Sequence, residues 1–115
     1  MATRPGNTQR AGERIQRIRA ALQKFELLCS GTLSERMMKC GKPNCRCATD
    51  PSARHGPYFE WSHMKAGKPT RRYVSAHQAQ LLRKAIADYR ALQKLLREWQ
   101  ESSERIIDAA QPPQP

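Results

Sequence analysis

Three cysteines fall within eight residues, at Cys40, Cys45 and Cys47, and His55 follows across the loop "ATDPSAR". Thiols and an imidazole so close together can serve as nucleophiles, as a redox couple or as metal ligands. Zinc binds four sulfur or nitrogen ligands in a tetrahedron, and three Cys with one His is a common structural set. Gly41 and Pro43 suit a tight turn that aims Cys40 and Cys45 inward. Arg46 supplies positive charge that favours the metal-binding thiolates. Gly56 and Pro57, directly after His55, set a turn that would tie the metal loop to the segment beyond it. The expectation is one structural Zn2+ held by Cys40, Cys45, Cys47 and His55, with His63 or Cys29 as alternatives for the fourth ligand. A redox role is disfavoured because Cys-x-Cys lacks the strand-to-helix setting of a thioredoxin-type pair. The N-terminus "MATRPGNTQRAGER" shows no apolar secretory core, so the thiols are expected to stay reduced.

Charge is the second signal. The chain carries a formal net charge of +11. Residues 36–84 hold eleven Lys or Arg against only Asp50 and Glu60, whereas residues 85–115 hold four against five acidic residues. A basic surface concentrated on one region is the electrostatic footprint of a nucleic-acid binder. Lys39, Lys42, Arg46, Arg54, Lys65, Lys68, Arg71 and Arg72 are the candidate contacts, with DNA the favoured ligand. Core packing is the expected role of Tyr58 and Tyr73, and stacking on unpaired bases the alternative. No run of eighteen apolar residues exists to cross a membrane. A cytoplasmic protein is expected, nucleoid-associated if it binds DNA. No paired carboxylates, catalytic triad order or phosphate loop occurs, and four ligands would close the zinc site. The expectation is a binding protein without enzymatic activity.

The elements that must hold these residues follow from periodicity. Residues 1–9 read as a disordered arm. From about Arg10 to Ser30, apolar residues at Ile15, Ile18, Leu22, Phe25 and Cys29 recur at helical spacing, and Gly31 is expected to cap that helix. Thr32-Leu33-Ser34-Glu35 fits a capping box opening a short helix toward Met38. Alternation in "PYFEWSHM" and "TRRYVS", joined by "KAGK", reads as a hairpin over residues 57–74, with Phe59 and Trp61 facing the core. Ser75 to Gln78 forms a second capping box. The helix after it runs to about Asp108 with a heptad series at Leu82, Ala85, Tyr89, Leu92, Leu96 and Trp99. A Pro-rich tail covers residues 109–115. The fold expected is α+β: two long antiparallel helices flanking a zinc-bound loop and a β-hairpin, in one domain over residues 10–108. The heptad helix offers a different function, as a protein-interaction surface for a homodimer.

The stretch "CGKPNCRC", the turn "HGPY" and the later "GK" and "RRYV" resemble a family of small basic bacterial proteins known only as a domain of unknown function. The resemblance falls on Cys40, Gly41, Lys42, Pro43, Cys45, Cys47, His55, Gly56, Pro57, Tyr58, Gly67, Lys68, Tyr73 and Val74. It implies an association with mobile-element and transposase genes, and hence an accessory role with a transposase-like protein as a partner. It implies no activity.

Overall fold

The computed structural model describes residues 6–110. Its elements are a helix α1 (Asn7–Leu22), a strand β1 (Thr32–Met38), two short 3-10 turns (Arg46–Ala48 and Pro51–Ala53), strands β2 (His55–Lys65) and β3 (Lys68–Val74), and a helix α2 (Ala76–Ala109). They form two compact units. Among the described residues, one comprises 6–26 together with 88–110, and the other runs from Leu27 to Ala87. The helix α2 contributes to both units.

The second unit is built on a three-stranded antiparallel sheet in the order β1-β2-β3. The expected hairpin is there, lengthened at its start: Lys65 pairs with Lys68 across a two-residue loop. Ala66 and Gly67 in that loop have φ of 52° and 78°. Positive φ at both central positions matches the right-handed twist of the flanking strands. The third strand, β1, replaces the short helix expected after Thr32. Its residues pair from Thr32 opposite Ser62 to Arg36 opposite Tyr58, then slip by a bulge so that Met38 meets His55. The ladder along β2 gives this segment more backbone hydrogen bonds than an isolated helical turn would, which is why tertiary pairing overrides the Thr-x-x-Glu cue. Gly31 is not a helix cap. Its φ is 105°, and a Cβ there would run into the Ser62 carbonyl oxygen, so glycine is required for β1 to enter alongside β2.

Alternation sorts the sheet into two faces. Leu33, Glu35, Phe59, Trp61, His63, Thr70, Arg72 and Val74 share one face by register. The opening turns of α2 cover part of it: the Arg83 guanidinium lies 5.4 Å from the Phe59 ring and 3.9 Å from Glu35. Ala79, Leu82, Ala85 and Ile86 of α2 are buried, and the Cys29 N–H bonds the Ala85 carbonyl at 3.2 Å. The Ser75 box forms as expected. The Ser75 N–H donates to Gln78 Oε1 at 2.9 Å, and the Gln78 N–H donates to Ser75 Oγ at 3.1 Å.

In the first unit, α1 meets the second half of α2 around Arg14, Ile18, Leu95 and Glu98. Ala11 and Ile18 on α1 and Ser102 on α2 are buried, while Arg14 pairs with Glu98 at 3.5 Å. The helix starts at Asn7, inside the arm expected over residues 1–9, of which residues 1–5 lie outside the described ones. It ends eight residues short of Ser30. Gln23, Lys24 and Phe25 close it with N–H bonds three residues back, the tight last turn common at helix ends. The apolar spacing therefore continues through Phe25 and Cys29 after the helix has stopped. On α2 the expected heptad series also divides. Leu82 and Ala85 are buried in the sheet unit, whereas Leu96 is 44% exposed and Leu95 lines a cleft with Ile18. The expected heptad series is therefore not one evenly buried stripe. Of the expected tail, residues 111–115 lie outside the described ones.

Candidate metal centre

The cysteine loop leaves the end of β1 and returns at the start of β2, so the paired strand ends fix where its first and last ligands sit. Cys40 lies two residues beyond Met38, and Met38 is paired with His55. Gly56 makes that closure possible. Its φ is 138°, and a Cβ would press to 2.8 Å from the Arg36 carbonyl oxygen and 3.0 Å from Met37 Sδ. Between the strand ends the two 3-10 turns fold the loop on itself. The Ala48 N–H bonds the Cys45 carbonyl at 3.0 Å, and the Asp50 N–H bonds the Arg46 carbonyl at 2.9 Å. Asp50 opens the second turn. Its carboxylate accepts from the Ser52 hydroxyl at 2.7 Å, the Ser52 N–H at 3.0 Å and Arg46 at 3.0 Å. The Ser52 hydroxyl and then Arg46 hold its pKa below the usual carboxylate value.

This folding brings four side chains together. Cys40 Sγ and Cys47 Sγ are 3.5 Å apart, and Cys45 Sγ and His55 Nε2 are 3.2 Å apart. All four candidate ligand atoms lie within 4.8 Å of one another. A tetrahedral zinc with Zn–S bonds of about 2.3 Å sets its sulfurs about 3.8 Å apart. The Cys40–Cys47 sulfur spacing of 3.5 Å is close to that value and the remaining ligand atoms lie within 4.8 Å, and the three-sulfur, one-nitrogen set is one zinc accepts. The electrostatics agree with a ligand role. The Cys47 backbone N–H, the His55 ring and the neighbouring thiols bring the Cys45 thiol down to about 6. For Cys47, the Cys40 N–H, 3.3 Å from its sulfur, pulls the pKa down. Burial and the adjoining Cys45 and Cys40 thiols outweigh that pull and raise it.

The alternatives for the fourth ligand lie elsewhere. Cys29 bonds the α2 backbone, and His63 stacks on Trp61 with centroids 3.6 Å apart and planes 10° apart. Arg72 sits over the same indole at 5.1 Å, and the indole N–H donates to the Ser30 carbonyl at 3.0 Å. This cation–ring–ring stack was not expected from the sequence. Only the alternation that puts Trp61, His63 and Arg72 on one face could have signalled it.

The eight candidate basic residues are all exposed but do not form one patch. Lys39, Lys42, Arg46 and Arg54 ring the cysteine loop, while Lys65 and Lys68 flank the turn at the other end of β2. The eleven-residue strand β2, which ends in Lys65, spans the distance between the two groups, about 35 Å. Arg71 and Arg72 lie between them on opposite faces of β3. The side of the sheet away from α2 carries a feature missed in the sequence. Tyr58 and Tyr73, expected in the core, are 43% and 55% exposed there. Among the described residues, no helix is long and apolar enough to cross a membrane. The model of the family described as a domain of unknown function (DUF6788) matches residues 8–84, more than half of the chain, and the chain belongs to that family. No curated protein and no solved structure matches it.

Proposed function

We propose that this member of a family without assigned activity is a zinc-stabilised nucleic-acid-binding accessory protein. The observation that carries the reading is the Cys40, Cys45, Cys47 and His55 cluster, with four ligand atoms within 4.8 Å of one another and Lys39, Lys42, Arg46 and Arg54 around it. Zinc there would act as a clamp. It would hold the ends of β1 and β2 together and add free energy of roughly 10–16 kcal/mol, the apparent range for small zinc-folded peptides. Four protein ligands complete a tetrahedron and leave no open position for a substrate, which supports binding rather than catalysis. The clamped loop would present its cations to phosphates, and Arg71 would extend that surface along the sheet. The experiment is purification from native cells with and without nuclease. Nucleic acid that co-purifies and is lost after chelation of the metal supports the reading. Protein free of nucleic acid in both preparations contradicts it.

A second reading rests on α2. Leu96, Trp99, Ser103 and Ile107 line one open cleft on its distal half, with Leu96 and Ile107 44% and 69% exposed. The occupant we infer is a second copy of this chain. The α1 segment is basic and the distal half of α2 carries Glu101, Glu104 and Asp108, besides Glu98 that pairs with Arg14 of its own chain, against Arg97 and Arg105, so a two-fold pair can set one copy's α1 against the other's α2 with opposite charge. Sedimentation should give a dimer that Leu96→Glu converts to monomer; a wild-type monomer at tens of micromolar would remove this reading. A transposase-like partner is tested by reciprocal capture with the purified transposase.

A further inference from the structure

The face of the sheet turned away from α2 carries mostly exposed or half-exposed residues, with Glu60 buried among them. By register it carries Thr32, Ser34 and Arg36 on β1, Tyr58, Glu60, Ser62 and Met64 on β2, and Pro69, Arg71 and Tyr73 on β3. Tyr58 and Tyr73 stand beside each other with ring centroids 6.1 Å apart and planes at 61°. The Tyr73 hydroxyl reaches Met38 Sδ at 3.6 Å, next to the metal loop. Glu60 is the face's one acid, 9% exposed and set 3.8 Å from the Arg36 guanidinium, so it offers phosphates little repulsion. Arg36 and Arg71 flank the tyrosines, and Lys39 follows at the end of β1. Hydroxyls of Thr32, Ser34 and Ser62 complete the surface.

Two half-exposed aromatic rings on a pleated face, with cations at its margins, match one ligand chemistry closely. Unpaired bases stack on aromatic side chains while their backbone phosphates meet arginine or lysine, and every base has such a face to offer. A duplex hides those faces in its own stack. We propose that the Tyr58–Tyr73 face binds two neighbouring unpaired bases of a single-stranded nucleic acid, with Arg36, Arg71 and Lys39 on its phosphates. This deepens the nucleic-acid reading and rests on it. It also assigns a ligand class, single strands, that the positions of the basic residues alone do not select.

The test uses the full chain with its metal and three fluorescein-labelled probes: a 15-nucleotide oligothymidylate, a 15-base-pair duplex and a 15-unit single strand of abasic sites. Wild type should bind the oligothymidylate most tightly. Tyr73→Leu keeps an apolar strand residue and removes the ring, so it should weaken oligothymidylate binding by roughly 5- to 150-fold, the range for losing one base–aromatic stack. Tyr73→Phe should bind like wild type, and Tyr58→Leu like Tyr73→Leu. The abasic strand keeps its phosphates and should be indifferent to all three changes. A wild type that prefers duplex, or leucine variants that bind oligothymidylate as wild type does, would overturn the stacking proposal and leave nucleic-acid binding standing. Leucine variants that lose the abasic strand equally would overturn it too, since the loss would then be structural. No binding of wild type to any probe at about 50 mM salt would overturn both the proposal and the reading beneath it.

Discussion

Arg71 and Arg72 are adjacent in sequence, yet the structure sets them on opposite faces of β3, and their separate removal makes a quantitative prediction. Arg71 pairs across from Ser62 on the tyrosine face, while Arg72 pairs across from Trp61 and sits 5.1 Å over its ring. Arg71→Ala should therefore act on binding. Each phosphate contact contributes a slope of about −0.7 in log affinity against log salt on single strands and about −0.9 on duplex. Raising salt from about 50 to 200 mM spans about 0.6 decade, so losing one contact removes about 0.4 log unit of salt sensitivity on a single strand, roughly 2.6-fold. Arg72→Ala should leave that slope alone. It should instead lower stability by about 0.5–1 kcal/mol, the worth of an exposed cation–ring contact. Fluorescence anisotropy at four salt concentrations and urea melts of each variant separate the two effects. Equal changes of slope for both variants, or a stability loss confined to Arg71→Ala, would refute the assignment of the two side chains to opposite faces.

Three further outcomes are expected. Ile18→Ala and Leu82→Ala remove side chains that are 3% and 7% exposed and should each cost roughly 2–5 kcal/mol by denaturant melts, whereas Leu96→Ala should cost under about 1 kcal/mol. Ser75→Ala breaks the reciprocal cap at the start of α2 and should cost about 0.5–2 kcal/mol, with helix content by circular dichroism otherwise kept. Arg90→Ala with Arg97→Ala, on the charge-balanced half of α2, should leave nucleic-acid affinity within about twofold; a loss equal to that of Arg71→Ala would show that total charge alone governs binding.

The Cys/His cluster was legible because its members are local. Cys40, Cys45 and Cys47 lie in one loop, and the Gly56-Pro57 turn announces where His55 must sit. The hairpin was legible for the same reason, through alternation in "PYFEWSHM" and the Ala66-Gly67 turn. What local pattern could not supply was competition between segments. Thr32 to Glu35 has the spacing of a capping box, and only the ladder offered by β2 makes it a strand. Phe25 and Cys29 continue the helical period of α1, but the Cys29 N–H is committed to the Ala85 carbonyl on α2. Tyr58 and Tyr73 were expected in the core because large aromatics usually are. Their side of the sheet became visible only when register put them opposite the face that α2 covers. The heptad series on α2 hid a similar division, since one regular stripe serves the sheet at Leu82 and Ala85 and lies open at Leu96.

The metal content of the purified chain tests the central claim most directly. Protein prepared without chelator should contain one zinc per chain by elemental analysis. Cys47→Ser, which replaces the buried thiol, should abolish that zinc. Removing the metal from wild type should collapse the amide dispersion of residues 39–75 in NMR spectra while part of the helical signal persists. Metal-free protein whose β1, β2 and β3 resonances are fully dispersed would contradict the account, because the cluster would then be a group of reduced cysteines that the fold does not need.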